Sequence, residues 1–288
     1  MYDFTPLDFG IVDAHLHIWD PRNLRYLWLD GIPALNRPFL PEDYETACGG
    51  VKVDKMVFMQ CECSPGQRHE EVSWVMGQAA RDPRLKGIVP FVPLEMGGGA
   101  EGELDGLSKN GMVKGVRRII QFEPDLEFCL KDSFAEGVRL LPKYGFTFDI
   151  CIDRRHNKSI IKFLEKVPGV ACVLDHIGKP DIKNGELEPW RTEMKAIASF
   201  PNVWCKVSSL ATEADWQNWT LDDLKPFVDC IFENFGFSRT IFAGDWPVSS
   251  QAAPFPACVG ALLELVKGAP RGELYKLFRG NAEEVYRV

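Results

Sequence analysis

The sequence contains no apolar run of about 18 residues, so no segment has the length and composition of a membrane-crossing helix. It also lacks a basic surface signature. Its 33 Lys and Arg against 41 Asp and Glu leave a formal charge of −8, the wrong sign for replacing counterions on a nucleic acid. No disulfide framework is visible. The nine cysteines are odd in number and scattered, and Cys151, Cys172 and Cys205 sit inside apolar runs, where a free thiol behaves as a small buried hydrophobe. That usage, and a Met-Tyr-Asp-Phe-Thr-Pro start with neither basic residues nor an apolar core, predict a cytoplasmic protein without a secretory signal. No low-complexity segment, charge block or Pro/Ser-rich linker divides the chain, which predicts one domain over residues 1–288. These exclusions predict neither a nucleic acid nor a membrane as partner.

What the chain does have is a short apolar stretch ending in paired histidines, Ile11-Val-Asp-Ala-His15-Leu-His17-Ile-Trp19. Read as a strand, strict alternation places Asp13, His15 and His17 on one face and Val12, Ala14 and Leu16 on the other. Two imidazoles on one face at a strand end can reach a single metal ion. Apolar runs followed by helix-like stretches then recur through the chain, at 10–19, 55–61, 86–92, 113–120, 147–152, 170–176, 203–208 and 240–246. Eight such units in under 300 residues predict a single (β/α)8 TIM barrel of the α/β class. An open doubly wound sheet is disfavoured because no Gly-rich phosphate turn follows the first run.

Several residues fall at the ends of these runs, where barrel enzymes carry their chemistry. Glu62 ends the second, with Cys61 and Cys63 on the opposite face; that Cys-x-Cys lacks the second pair a structural zinc site needs. Arg117 and Arg118 end the fourth, and alternation turns one of them inward. His176 ends the sixth and Asp245 the eighth, while His156, several residues past the fifth in a polar stretch, is expected to be exposed. Lys206 stands inside the seventh run and requires a partner or a function. Residues 20 to about 40 are too long for an ordinary βα connection, and their Tyr26-Leu-Trp28-Leu-Asp30 offers aromatics either for a pocket wall or for packing on the rim. Gly97-Gly98-Gly99 has no following Gly-Lys-Ser/Thr, so it is not a phosphate loop.

Together His15, His17, His176 and Asp245 form an expected mononuclear metal constellation at one mouth, with Asp245 either a ligand or a base. At this point the chain resembles the amidohydrolase superfamily, within it the sugar-acid lactonase branch. The resemblance rests on Val12-Asp-Ala-His-Leu-His-Ile-Trp19 with the following Tyr-Leu-Trp-Leu, Gly115-Val-Arg117, Leu174-Asp-His-Ile-Gly-Lys-Pro180 and Gly244-Asp-Trp-Pro247. It implies hydrolysis of a lactone by activated water and one divalent ion, zinc first, on His15, His17 and Glu62, with His176 and Asp245 as further ligands or as catalytic residues. It also implies that Arg117, Tyr26, Trp28 and Trp246 contact the substrate. The run at 113–120 offers Arg117 where dinuclear members carry a bridging Lys or Glu, and the run at 147–152 has no histidine, so two metals are not expected. A zinc-dependent decarboxylase, a metal-independent lactone hydrolase and a non-catalytic binding barrel remain the alternatives.

Overall fold

The computed structural model describes residues 3–288. Eight parallel strands run in chain order: β1 Ile11–Leu16, β2 Val53–Met59, β3 Leu85–Val89, β4 Gly115–Arg117, β5 Thr147–Ile150, β6 Cys172–Leu174, β7 Val203–Val207 and β8 Thr240–Phe242. They form arcs β1-β2-β3 and β4-β5-β6-β7-β8. One seam is closed by a parallel bridge between Ile88 and Val113, the other by one between Leu16 and Trp246. The result is the closed (β/α)8 barrel expected from the recurring runs. The outer ring is α1 Pro41–Cys48, α2 Arg68–Ala79, α3 Glu101–Ser108, α4 Asp132–Arg139, α5 Asn157–Lys166, α6 Trp190–Ala198, α7 Leu221–Phe235 and α8 Phe255–Leu265, followed by α9 Arg271–Tyr275 and α10 Asn281–Tyr286.

The barrel interior is layered. Val12, Ala14, Val57, Met59, Val89, Val173, Ile241 and Ala243 pack inward against Ala282, Val285 and Tyr286 of α10. Lys55, near the start of β2, donates to the Val288 carbonyl at 2.8 Å, so the chain end plugs the N-terminal mouth. Above this apolar layer lies a charged one. The Lys206 ammonium donates to Asp149 at 2.6 Å and to Asp175 at 2.9 Å, and Tyr286 donates to Asp149 from below. Lys206 therefore has two carboxylate partners. The inward arginine of β4 is Arg117, while Arg118 turns out to Glu95 and Glu123.

The alternation expected along β1 fails, for a definable reason. Asp13 pairs with Met56 and Leu16 with Phe58, so three steps on β1 span two on β2. This β-bulge shifts the phase of the strand. His15 and His17 consequently turn into the barrel mouth, whereas Asp13 turns outward to accept from the Tyr44 hydroxyl at 2.7 Å, Gly244 N at 2.7 Å and His15 N at 3.0 Å. Gly244 is glycine because an added Cβ would lie 2.4 Å from Asp13 Oδ2 and 2.6 Å from the Phe255 ring. On β2 the pattern likewise ends early. Phe58 packs in the outer core and Met59 inward, and beyond them Glu62 has φ +53°, so Phe58, Gln60 and Glu62 do not share a face.

His156 is a further correction. It is fully buried rather than exposed, because the turn Arg154–His156 runs straight into α5 and folds it beneath that helix, 3.3 Å from Asp153. Among the described residues no helix is long and apolar enough to cross a membrane.

Asp13 locks the bulge to the β8 end, and this sets a stability prediction. Asp13→Ala strands two buried backbone N–H groups and a buried hydroxyl, each worth about 1–3 kcal/mol when unsatisfied. Urea unfolding is expected to show a loss of at least about 3 kcal/mol; a loss below about 1 kcal/mol would show that the bulge holds without the clamp.

Candidate active site

Four residues at the ends of separate strands have left-handed backbone: Glu62 after β2, His176 after β6, Ser209 after β7 and Asp245 after β8, all with φ of 53° or 54°. Non-glycine residues are held there only when their surroundings fix them, and such strain gathers at functional sites. The β1–β8 seam supplies part of that fixing. Asp245 N donates to the His15 carbonyl and His17 N to the Trp246 carbonyl, both at 2.8 Å. These bonds bring the histidines at the first strand's end against the carboxylate at the last strand's end, about 230 positions away in the chain.

The resulting cluster centres on one oxygen. Asp245 Oδ1 lies 3.4 Å from His17 Nε2, 3.6 Å from His15 Nε2 and 3.9 Å from His176 Nε2. Asp245 Oδ2 is turned away to accept from the Ser209 hydroxyl. The other ring nitrogens are held from behind. His17 Nδ1 is 2.9 Å from the Met59 carbonyl, which can only accept, so Nδ1 carries the proton and Nε2 a lone pair. His15 Nδ1 lies 3.4 Å from Asp175 Oδ1 and 3.3 Å from the Lys206 ammonium, while its Nε2 lies 3.1 Å from Arg117 Nη1. His176 Nδ1 lies between Ser208 Oγ at 2.8 Å and Ser209 Oγ at 3.1 Å.

His15 Nε2 and His17 Nε2 approach each other to 3.1 Å. At that spacing one ion can be reached by both nitrogens. A tetrahedral zinc shell with bonds of about 2.0–2.1 Å separates its ligand atoms by about 3.3–3.4 Å. The three separations among His15 Nε2, His17 Nε2 and Asp245 Oδ1, 3.1, 3.4 and 3.6 Å, bracket that value. Backing of each ligand nitrogen by a carbonyl or carboxylate is the usual second layer of a metal site. His15, His17 and Asp245 thus form a candidate metal group, all buried. A second candidate group, His15, Asp175 and His176, fits less well because both Asp175 oxygens already accept from cations, Lys206 and Arg117.

Charge states suit ligation. Burial lowers the His15 imidazole well below its ordinary range, lowers His17, and pushes His176 down to about 4, so all three are neutral at pH 7. Burial alone would raise the Asp245 carboxyl, but the surrounding imidazoles, His176 first, outweigh it and hold the group as a carboxylate. The same contest, won by Lys206 and His15, keeps Asp175 well below the usual range.

The cluster opens into a cavity of about 460 Å3 whose wall includes His17, His176, Asp245, Arg117, Glu62 and Trp28. Trp28 is fixed by its indole N–H donating to the Cys61 carbonyl at 2.8 Å. Glu62 stands on the wall but outside both ligand groups, bonded to Gln60. Arg117 donates to the Gln60 carbonyl at 2.6 Å and to Asp175 at 3.2 Å, so its guanidinium braces His15 from within the wall. Tyr26 and Trp246 are elsewhere. Both are buried beneath the rim, Tyr26 near Trp19 and Trp246 edge-on to Phe39 and Tyr44. The first long loop therefore divides its aromatics, Trp28 to the cavity and Tyr26 to packing.

Asp175, Ser208, Ser209, Lys179 and Gln121 also belong to the site and were not singled out from the sequence. A usable signal existed for Asp175, an acid inside the apolar end Val-Leu-Asp-His, and for the Ser208-Ser209 pair closing its run. Nothing local marks Gln121.

Barrel strand ends that converge on neutral imidazoles and a carboxylate can hold a divalent ion for hydrolysis. The chain belongs to the amidohydrolase family, whose sequence pattern matches residues 12–288. It is 29% identical over 283 residues to an L-fucono-1,5-lactonase of Burkholderia ambifaria, covering 96% of this chain and 95% of that one. It is 25% identical to an L-rhamnono-gamma-lactonase of Scheffersomyces stipitis, over 97% of this chain and 99% of the relative. A Burkholderia multivorans amidohydrolase solved with bound zinc superimposes with a TM-score of 0.87 at 24% identity, over 97% of this chain and all of that one.

One buried acid behind the wall yields a pH prediction. Glu71 accepts from Cys61 N at 3.1 Å, and burial pushes its carboxyl up to about 8. Its folded-state pKa is raised, so the stability it lends is full below the ordinary carboxyl range and is lost as pH rises toward about 8. Glu71→Gln mimics the protonated form without titrating. Between pH 5 and pH 8.5 the variant is expected to gain more than about 1 kcal/mol on the wild type in chemical denaturation. Parallel pH dependence of the two proteins would contradict a buried neutral Glu71.

Proposed function

We propose that this chain hydrolyses the lactone of a sugar acid, of the L-fucono- or L-rhamnono-lactone type, using one divalent ion, zinc in the first instance. The observation that carries the reading is the convergence of three imidazole Nε2 atoms on Asp245 Oδ1 at the floor of the cavity. The lactonase names of the relatives, aligned over nearly the whole chain, support the substrate class.

His15, His17 and Asp245 would hold the ion, with His176 next to them. When bound, such an ion polarises a carbonyl and lowers the pKa of water toward about 7. The Asp245 carboxylate accepts the proton of the attacking water as the water oxygen bonds to the lactone carbonyl carbon. Collapse of the tetrahedral species breaks the bond from that carbon to the ring oxygen, and Asp245 returns the proton there, leaving a hydroxy acid. His176, oriented by Ser208 and Ser209, lies beside Asp245 where it can donate to the developing oxyanion. Arg117 braces the His15 ring from the wall.

The test is a pH-indicator screen of sugar-acid lactones, with and without chelator. Wild-type protein is expected to release acid only in the metal-loaded state. Asp245→Asn keeps the shape but cannot take a proton, and its kcat is expected to fall by about 10²–10⁴ at saturating metal. Retention of more than about a tenth of kcat would rule out Asp245 as the base. His17→Ala should weaken metal affinity by at least about 10-fold in competition with a chromogenic chelator. Carbon dioxide release in place of a hydroxy acid would move the chain to the decarboxylases.

A further inference from the structure

Two charged groups on the cavity wall have no use in the reaction above. The Lys179 ammonium donates to Gln121 Oε1 at 2.6 Å, and no carboxylate lies within ion-pair distance of it among the described residues. Its backbone is left-handed, with φ +49°. Glu62, left-handed too, is locked by reciprocal bonds to one side chain. Gln60 Nε2 donates to Glu62 Oε1 at 2.7 Å, and Glu62 N donates to Gln60 Oε1 at 2.6 Å. Among the described residues no cation comes within ion-pair distance of this carboxylate, and none donates a hydrogen bond to its Oε2. Two ammonium N–H donors and one carboxylate oxygen are thus left over in one cavity, held in strained conformations and not paired with each other.

An anionic substituent beside Glu62 meets a like charge, as does a cationic one beside Lys179. A hydroxyl suits both, since it accepts from an ammonium and donates to a carboxylate. The remaining wall, Trp28, Ile32, Ile119 and Val248, offers apolar surface for the C–H faces of a ring. We infer that Glu62 and Lys179, each oriented by a glutamine, form a hydroxyl-recognition subsite that selects a neutral, polyhydroxylated ring over an unsubstituted one. The inference deepens the lactonase reading and rests on it for the substrate class. It also assigns Glu62 to the substrate rather than to the ion.

The experiment compares a δ-lactone bearing three ring hydroxyls with δ-valerolactone, in the wild type, Glu62→Gln and Lys179→Met, with metal content measured for each. The quantity read is the ratio of the two kcat/KM values. A site built to bond hydroxyls loses discrimination steeply when a partner is removed, so each variant should lower the ratio at least about 30-fold. Metal content should stay at the wild-type level. Calorimetric binding of a polyhydroxylated δ-lactam against δ-valerolactam, neither of which turns over, gives a readout independent of catalysis. If the wild type opens no lactone but binds the polyhydroxylated lactam in preference, and both variants lose that preference, the lactonase reading falls and the subsite stands. A ratio within 3-fold of wild type in both variants overturns the subsite, as does a wild type without preference between the lactams. Loss of the ion in Glu62→Gln overturns the assignment of Glu62.

Discussion

The site depends on the Lys206 ammonium held between Asp149 and Asp175 inside the barrel. All three groups are fully buried. Removing one member of such a set leaves an uncompensated charge in a low-dielectric interior, which typically costs about 3–5 kcal/mol. Asp175 is the shared element. Its Oδ1 accepts from Lys206 and faces His15 Nδ1, while its Oδ2 accepts from Arg117. The charged layer that joins β4, β5, β6 and β7 therefore also positions the ring of the first histidine. The apolar layer below and α10 at the far mouth keep water from these groups.

Above that layer the chain departs from regular strand geometry at each position that carries chemistry. A bulge turns His15 inward, and left-handed residues aim Glu62, His176, Ser209 and Asp245. Backbone strain of this kind costs about 1–3 kcal/mol per residue and persists only where neighbours over-determine it. Here the neighbours are identifiable. Asp13 ties the bulge to Gly244, and Trp190 donates to the Ile177 carbonyl at 2.8 Å to hold the turn that carries His176.

The barrel was legible in the sequence because eight apolar runs separated by amphipathic stretches admit few other folds. His15, His17, His176 and Asp245 were legible because each ends such a run. Facing was less readable. Alternation assumes an unbroken ladder, so the bulge reversed the expectation for Asp13, and the left-handed turn after β2 separated Phe58 from Glu62. His156 looked exposed beside two arginines, and only the packing of α5 over it shows otherwise. Tyr26 and Trp28 carry the same local signal, and tertiary packing alone sends one to the core and the other to the cavity. Gln60 and Gln121, which orient charged groups on the wall, carry no pattern that a linear reading detects.

The central claim is that His15, His17 and Asp245 hold a single divalent ion. Anomalous diffraction at the zinc absorption edge from crystals of zinc-loaded protein tests it most directly. The account predicts one peak per chain, within bonding distance of His15 Nε2, His17 Nε2 and Asp245 Oδ1. A peak among Asp175 and His176 instead, two peaks per chain, or none at full loading would contradict it.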